Sequence, residues 1–203
     1  GFKLFWLGTS HGLEKKIVPN YGYPLHKISI VSIRGKGFLR LLLVPFFLII
    51  SLFQALIIMI KVRPVVVLGM GGFASGPGGI AAWIMRIPLL IHEQNAIAGL
   101  TNKLLAPFAS SIMTSFPRVF KKSNKIIVTG NPTREDIKNI SKPEQRYKNR
   151  ESKLLKVLVL GGSQGAEKLN KIIPETLHDF DRKYIIKIKH QCGAKDIIKK
   201  SKV

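Results

Sequence analysis

Cysteine is almost absent from this chain of 203 residues, which contains only Cys192. A single cysteine excludes a framework of internal disulfides and a zinc site built from cysteines, and it suits a reducing compartment. Acidic residues are also scarce, with 11 against 33 lysines and arginines, so the formal net charge is +22. The sequence contains neither a P-loop nor an HExxH pattern, which excludes the site classes that those motifs mark.

The positive charge has three interpretations. Most basic residues are lysines scattered along the chain, not arginines of a binding groove, so nucleic acid is a distant third and is not predicted as a partner. A solvated basic surface is the first interpretation. Attraction to an anionic membrane or to a phosphate-bearing ligand is the second. Because 46% of the residues are hydrophobic, the chain can bury a core and is not a disordered segment.

Short apolar runs, each followed by turn residues, recur along the chain. They cover residues 2–7, 65–68, 89–91, 126–128, 157–160 and 184–189. Several are wholly apolar, as in strands with helices on both faces, and helix-length segments such as 78–85 and 95–106 separate them. The pattern predicts an α/β fold with a parallel sheet that includes both residues 2–7 and residues 65–68. Ligands of such sheets bind beyond the carboxyl ends of the strands.

Two domains and a linker are predicted from a change in polarity. Residues 138–152 are basic and polar without an apolar period, which indicates a surface connection between an α/β unit at 1–137 and a second at 153–203. Because the chain opens with Gly1 inside a strand pattern and closes inside a helix pattern, we expect a fragment with an incomplete first domain and a truncated second one.

Residues 38–60, from Phe38 to Ile60, form a long apolar segment that Pro45, Ser51 and Gln54 interrupt. Its length and hydropathy would suit a transmembrane helix. Basic residues flank both ends, and spanning would separate two strands expected in one sheet. We therefore expect a helix that covers the sheet with one face and meets a membrane surface with the other. A buried crossover helix is the alternative, and a spanning helix ranks last.

Two glycine-rich loops and one polar cluster are candidate binding elements. Residues 69–79 follow an apolar strand, precede a helix expected near Ile80, and place Gly71, Gly72, Ser75 and Gly76 where backbone N–H groups could approach an anion. A second loop follows the strand of the second unit and contains Gly161, Gly162, Ser163, Gln164 and Gly165. Plain packing turns are the alternative for both loops.

His92, Glu93, Gln94 and Asn95 follow another apolar strand, which favours recognition of a sugar or other polar ligand. The alternative is a set of loop caps, with Asn95 as the N-cap of the next helix. Arg134 lies beside the predicted linker and is either an exposed cation or a phosphate contact.

Together these stretches resemble the MurG-type N-acetylglucosaminyltransferases of glycosyltransferase family 28. The resemblance lies in Trp6-Leu-Gly-Thr9, Arg34-Gly-Lys-Gly37, Leu68-Gly-Met-Gly-Gly-Phe-Ala-Ser-Gly-Pro-Gly-Gly79, His92-Glu-Gln-Asn-Ala-Ile-Ala-Gly-Leu-Thr-Asn102, Gly130-Asn-Pro-Thr-Arg134 and Gly161-Gly-Ser-Gln-Gly-Ala166. It covers nearly the whole chain but only the middle of the family's length.

The resemblance implies a GT-B arrangement of two Rossmann-like domains and inverting transfer of N-acetylglucosamine from UDP-N-acetylglucosamine to the undecaprenyl-diphosphate-linked muramoyl pentapeptide, lipid I, in cell-wall synthesis. It implies peripheral attachment to the cytoplasmic face of the inner membrane, with residues 38–60 as the membrane patch. No metal or other cofactor is implied. Asn95, Arg134 and Ser163 become donor contacts, the 69–79 loop faces the acceptor diphosphate, and His92 and Glu93 lie near the reacting centre as candidate catalytic residues.

The family's first glycine-rich loop and its later uracil-binding segment have no counterpart among these 203 residues. The resemblance therefore implies that this chain alone lacks transferase activity. Two alternatives keep the residues and change the function. One is another glycolipid synthase with the same fold, and the other is a non-catalytic, basic protein at the membrane surface.

Overall fold

The structure is a computed structural model that describes residues 1–30, 38–148, 154–162, 165–178 and 185–193. The chain forms two compact units, Gly1–Thr133 and Arg134–Val203.

The first unit opens with a small parallel sheet. Strand β1 (Trp6–Thr9) leads through helix α1 (Glu14–Asn20) into strand β2 (Leu25–Ile28), and β1 pairs with β2 in parallel. Thr9 donates its backbone N–H and its hydroxyl to the carboxylate of Glu14, both at 2.8 Å, and these two bonds close the loop between β1 and α1.

A four-stranded parallel sheet forms the centre of the first unit. Its strands lie in the order β3-β4-β5-β6, so their carboxyl ends meet at one edge. The elements, in chain order, are α2 (Phe38–Val62), β3 (Val67–Gly69), α3 (Ser75–Ile84), β4 (Leu89–Glu93), α4 (Leu100–Leu105), a short 3-10 turn (Ala106–Phe108), β5 (Ser111–Thr114) and β6 (Ile126–Val128).

Two buried clusters hold these elements together. Leu89 and Ile91 of β4 pack with Leu105, Ala109 and Ile112 on the side of α4 and β5. The second cluster joins α2 to α3 and consists of Ala55, Met59, Ala81 and Ala82. The small side chains of Ala81 and Ala82 on α3 let α2 approach closely, and α2 packs against α3 through its face that contains Ala55.

The prediction of a parallel-sheet α/β fold is confirmed. The prediction that the first run and residues 65–68 share a sheet is wrong, because β1 pairs with β2 and β3 begins a separate sheet. The helix expected near Ile80 begins five residues earlier, at Ser75, since Pro77 suits the first turn of a helix. The helix expected at residues 95–106 begins only at Leu100.

The second unit is smaller. Helix α5 (Glu135–Lys138) ends where the predicted linker of residues 138–152 begins, and helix α6 (Pro143–Tyr147) lies within that stretch. Strand β7 (Leu154–Leu160) then leads through helix α7 (Glu167–His178) to strand β8 (Ile185–Gln191), and β7 pairs with β8 in parallel. A two-stranded sheet with one helix leaves much apolar surface uncovered, including Leu158 and Leu160.

Candidate functional site

The glycine loop that follows β3 is a tight turn joined directly to α3. Gly71 and Gly72 both have φ of +78°, a conformation that other residues adopt only with strain. The hydroxyl of Ser75 donates to the carbonyl oxygen of Gly71 at 2.6 Å, which fixes the turn against the first turn of α3. Because α3 begins at Ser75, the predicted residues Ser75 and Gly76 supply backbone N–H groups at a helix N-terminus, which favours anions.

Glu93, at the end of β4, is the centre of a hydrogen-bond cluster. Its side chain is 1% exposed and its carboxylate accepts four hydrogen bonds. Oε1 accepts from the backbone N–H of Asn95 at 3.0 Å and from its Nδ2 at 2.9 Å. Oε2 accepts from the N–H of Gly99 at 2.9 Å and from Nδ2 of Asn102 at 2.8 Å.

Burial alone would raise the pKa of Glu93, but the hydrogen bonds from Gly99, Asn95 and Asn102 outweigh it, so the pKa lies below its usual value. The carboxylate is therefore ionised at neutral pH. Its acceptor positions are used by the protein itself, and this geometry favours a structural role over proton transfer.

His92 points away from Glu93 because successive side chains alternate across a strand. It is 5% exposed, and its Nε2 lies 3.0 Å from the carbonyl oxygen of Gly130. A carbonyl oxygen only accepts, so Nε2 carries the hydrogen of this bond. Nδ1 is buried and has no hydrogen-bond partner among the described residues.

Two amide side chains link the loops that follow the four strands of the central sheet. Gln94 Nε2 donates to the carbonyl oxygen of Met70, after β3, at 3.4 Å. Asn131 Nδ2, after β6, donates to the carbonyl oxygen of Gln94 at 3.3 Å. The hydroxyl of Ser115, after β5, donates to Asn131 Oδ1. The polar groups thus form one connected edge at the carboxyl ends of the strands.

Asn95 is exposed beside this edge, and the alternative interpretation, in which it caps the next helix, is wrong. The N-cap of α4 is Gly99, which uses no side-chain bond. Asn95 Nδ2 instead donates to the ionised carboxylate of Glu93, in a charge-assisted hydrogen bond.

The remaining predicted contacts belong to the second unit or lie outside the described residues. Arg134 is exposed and is the N-cap residue of α5. Ser163 and Gln164 lie outside the described residues. Around them, Gly162 and Gly165 have φ of +77° and +78°, and a side chain on Gly165 would collide with the carbonyl of Cys192. A side chain on Gly161 would lie 2.6 Å from the carbonyl oxygen of Gln191, so close packing against the backbone explains the glycines at 161 and 165.

Sequence reasoning did not single out Asn102, Ser115 or Asn131. Asn102 lies on α4 and is 2% exposed. An asparagine on a buried helix face could have indicated a hydrogen-bond cluster, because a buried amide requires partners. Ser115 and Asn131 each follow a strand, as the chosen residues do.

Among the described residues there is no group of three or more histidine, cysteine or carboxylate side chains that could hold a metal ion. Asp179 and Asp181 have the spacing of an Asp-x-Asp metal motif, and both lie outside the described residues.

Helix α2 has two different faces. Ser51 is fully buried and its hydroxyl is 2.6 Å from the carbonyl oxygens of both Ser29 and Phe47. Gln54 Oε1 accepts from the N–H of Ser29 at 2.6 Å, and Gln54 Nε2 donates to the Ser29 hydroxyl at 3.2 Å. The opposite face, here called the outer face, is apolar and exposed, and it contains Phe46, Ile49, Phe53, Ile57 and Ile60.

Residues Val44–Val62 of α2 are long and apolar enough to cross a membrane, and 17% of this stretch is buried. The alternative of a buried crossover helix is therefore not met, whereas packing on one side and exposure on the other, as predicted, are observed. Because β1 and β3 lie in different sheets, a shared sheet is no argument against a membrane-spanning α2. The bonds of Ser51 and Gln54 to Ser29 are such an argument, since they attach the middle of α2 to the end of β2.

Comparison with known proteins agrees with the resemblance seen in the sequence. Residues 1–114 match the Glycosyltransferase family 28 N-terminal domain, and residues 156–202 match the Glycosyltransferase family 28 C-terminal domain. A UDP-N-acetylglucosamine--N-acetylmuramyl-(pentapeptide) pyrophosphoryl-undecaprenol N-acetylglucosamine transferase from Nitrosococcus oceani is 48% identical over 96% of this chain and 54% of its own length. The protein of the same name from Coxiella burnetii is 47% identical over 94% of this chain and 53% of its own length.

A solved structure shares the fold. The crystal structure of MurG from Acinetobacter baumannii has a TM-score of 0.67 and 34% identity, with 96% of this chain and 51% of that chain covered. The chain thus spans about half the length of the relatives that it matches. With a domain match that covers more than half of its residues, the chain belongs to glycosyltransferase family 28.

Proposed function

We propose that the whole protein transfers N-acetylglucosamine from UDP-N-acetylglucosamine to undecaprenyl-diphosphate-linked muramoyl pentapeptide in peptidoglycan synthesis. The observation that carries the proposal is the 48% identity to a transferase of that name over 96% of this chain. The connected polar edge at the carboxyl ends of four parallel strands supports it, because ligands of such sheets bind there. In a GT-B arrangement the donor would lie between the two domains.

The proposed chemistry is a single displacement with inversion. The muramoyl hydroxyl oxygen attacks the anomeric carbon, the bond from that carbon to the UDP oxygen breaks, and the hydroxyl proton passes to a base. Negative charge grows on the departing diphosphate, and backbone N–H groups and cations stabilise such charge. We assign that role to Arg134 for the donor, with Ser163 as a further donor contact, and the turn of Gly71, Gly72, Ser75 and Gly76 to the acceptor diphosphate. No metal is assigned to this chain's described residues.

Neither predicted catalytic side chain offers an open basic atom. The Glu93 carboxylate accepts four bonds from the protein, and Nδ1 of His92 is buried. We therefore propose that both residues position the site, and that the base belongs to another part of the whole protein.

We also propose that the outer face of α2 lies on the cytoplasmic surface of the inner membrane, as a peripheral attachment. The outer face is apolar and exposed, and an acceptor with an undecaprenyl chain is itself confined to a membrane. The net charge of +22 attracts the chain to anionic lipid.

The test of activity uses a grafted transferase, in which these 203 residues replace the matching segment of the Nitrosococcus oceani protein. We expect it to incorporate labelled N-acetylglucosamine into lipid I, whereas the 203-residue chain alone has no turnover. Incorporation into diacylglycerol instead of lipid I would favour a different glycolipid synthase. No saturable binding of UDP-N-acetylglucosamine, with Arg134→Ala and Ser163→Ala silent, would favour the non-catalytic membrane protein.

A further inference from the structure

We infer that Glu93 is a positioning residue whose carboxylate fixes the orientation of the Asn95 amide, so that Asn95 Oδ1 faces the ligand. The identity of that ligand, a sugar nucleotide, rests on the proposed function. The positioning itself rests on the four contacts of Glu93 within the first unit.

The orientation follows from hydrogen-bond chemistry. An ionised carboxylate only accepts, so the side chain of Asn95 must turn its nitrogen toward Glu93. The backbone N–H of Asn95 bonds to the same oxygen, which holds the residue at two points. The side-chain oxygen then faces away from Glu93 at an exposed position, where it can accept from a hydroxyl or an amide N–H. A free asparagine would present either end of its amide.

The other carboxylate oxygen extends the effect to neighbouring elements. Oε2 holds Gly99, the N-cap of α4, and Nδ2 of Asn102. Asn102 also donates to the carbonyl oxygen of His92 at 3.1 Å, and its amide nitrogen would lie 3.5 Å from a Cβ at Gly71. One buried charge therefore supports the loop carrying Asn95, the start of α4 and the packing beneath the glycine turn.

Glutamine at position 93 has nearly the same shape but replaces one acceptor oxygen with an NH₂ group. In Glu93→Gln that group faces N–H donors, so at least one pair of bonds is lost. In the grafted transferase we expect KM for UDP-N-acetylglucosamine to rise about 10-fold, kcat to fall less than about 10-fold, and the pH profile of kcat to keep its shape. Loss of a general base would instead lower kcat by about 10²–10⁴ and remove its acidic limb, and that result would overturn the inference.

A reversal of polarity tests the pair directly. In Asn95→Asp two carboxylates face each other, whereas in Glu93→Gln/Asn95→Asp the glutamine nitrogen can donate to the aspartate, which still turns an acceptor oxygen to the ligand. We expect the double variant to have a lower KM than Asn95→Asp alone. Additive losses would overturn the inference. Glu14→Gln is the matched control, since it removes a loop-closing carboxylate after β1 and should leave KM unchanged.

A measurement on the 203-residue chain separates this inference from the proposed function. By NMR, the side-chain NH₂ protons of Asn95 should exchange slowly with solvent, and Glu93→Gln should accelerate them at least about 10-fold while Glu14→Gln does not. Exchange of these protons at the free rate in the unsubstituted chain would overturn the positioning role. An inactive grafted transferase with protected Asn95 protons would overturn only the proposed function.

Discussion

Replacing Phe53 by glutamate tests whether the outer face of α2 inserts into lipid. Phe53 is 62% exposed. A phenylalanine side chain has roughly 200 Å² of surface, so about 120 Å² is available for insertion. At about 25 cal/mol per Å² this area contributes ~3 kcal/mol, or about 100-fold in partition between water and membrane. Because Phe53 packs little in the folded chain and glutamate favours helix, the folded state should keep its stability.

The assay is co-sedimentation of the 203-residue chain with vesicles of phosphatidylcholine and phosphatidylglycerol. We expect Phe53→Glu to reduce binding by at least about 10-fold, since insertion of the ring is lost and a negative charge is added. Ile172→Glu is the matched control, because Ile172 is a 52% exposed apolar residue on α7 of the second unit and gains the same charge. Equal losses for both variants, or no loss for Phe53→Glu, would refute docking through α2.

Three further outcomes concern the first unit. The pKa values of Glu14 and Glu93 are lower in the folded chain than in the unfolded chain. Their contribution to stability is therefore present above about pH 4.3, the unfolded value, and is lost as the pH falls through the lower folded values. Urea unfolding at several pH values should show this loss of stability, and Glu93→Gln should make it smaller. Ser51→Ala should cost about 1–2 kcal/mol in urea unfolding, because it removes the buried hydroxyl bonded to Ser29, and unchanged stability would contradict this attachment of α2. Gly71→Ala should cost about 1–2 kcal/mol because φ is +78°, whereas Gly76→Ala should be neutral in thermal melts, since its Cβ would lie 3.8 Å from Thr101.

The repeating strands could be predicted from the sequence because apolar runs followed by glycine or polar residues have a direct physical cause. A strand buried on both faces must be apolar, and its end must turn. For the same reason, the sequence predicts that His92, Glu93 and the glycine turn lie at one edge of a parallel sheet, as the pairing of β3 with β4 shows. Pairing partners were less accessible, since nothing in the run at β1 distinguishes β2 from β3 as its neighbour.

The roles of individual side chains could not be predicted, because they depend on contacts with residues that are distant in the sequence or that have no regular spacing. Asn95 has the composition of a helix cap, yet a buried carboxylate two residues earlier binds it and the helix starts at Gly99 instead. Ser51 and Gln54 read as interruptions of an apolar helix, and in the structure both bind Ser29, more than twenty residues away. Only the folded chain reveals such partners.

The place where the backbone leaves the first unit is hydrogen-bonded to the same sheet edge as the loop that contains Gln94 and Asn95. Gly130 receives the ring hydrogen of His92, and Asn131 bonds to both Gln94 and Ser115. Asn131 is bonded to the backbone of Gln94, and the side chain of Gln94 is in turn bonded to the carbonyl oxygen of Met70 at the glycine turn. A displacement of Asn131 would thus reach the glycine turn through two hydrogen bonds, so the exit of the first unit and the turn after β3 are mechanically coupled.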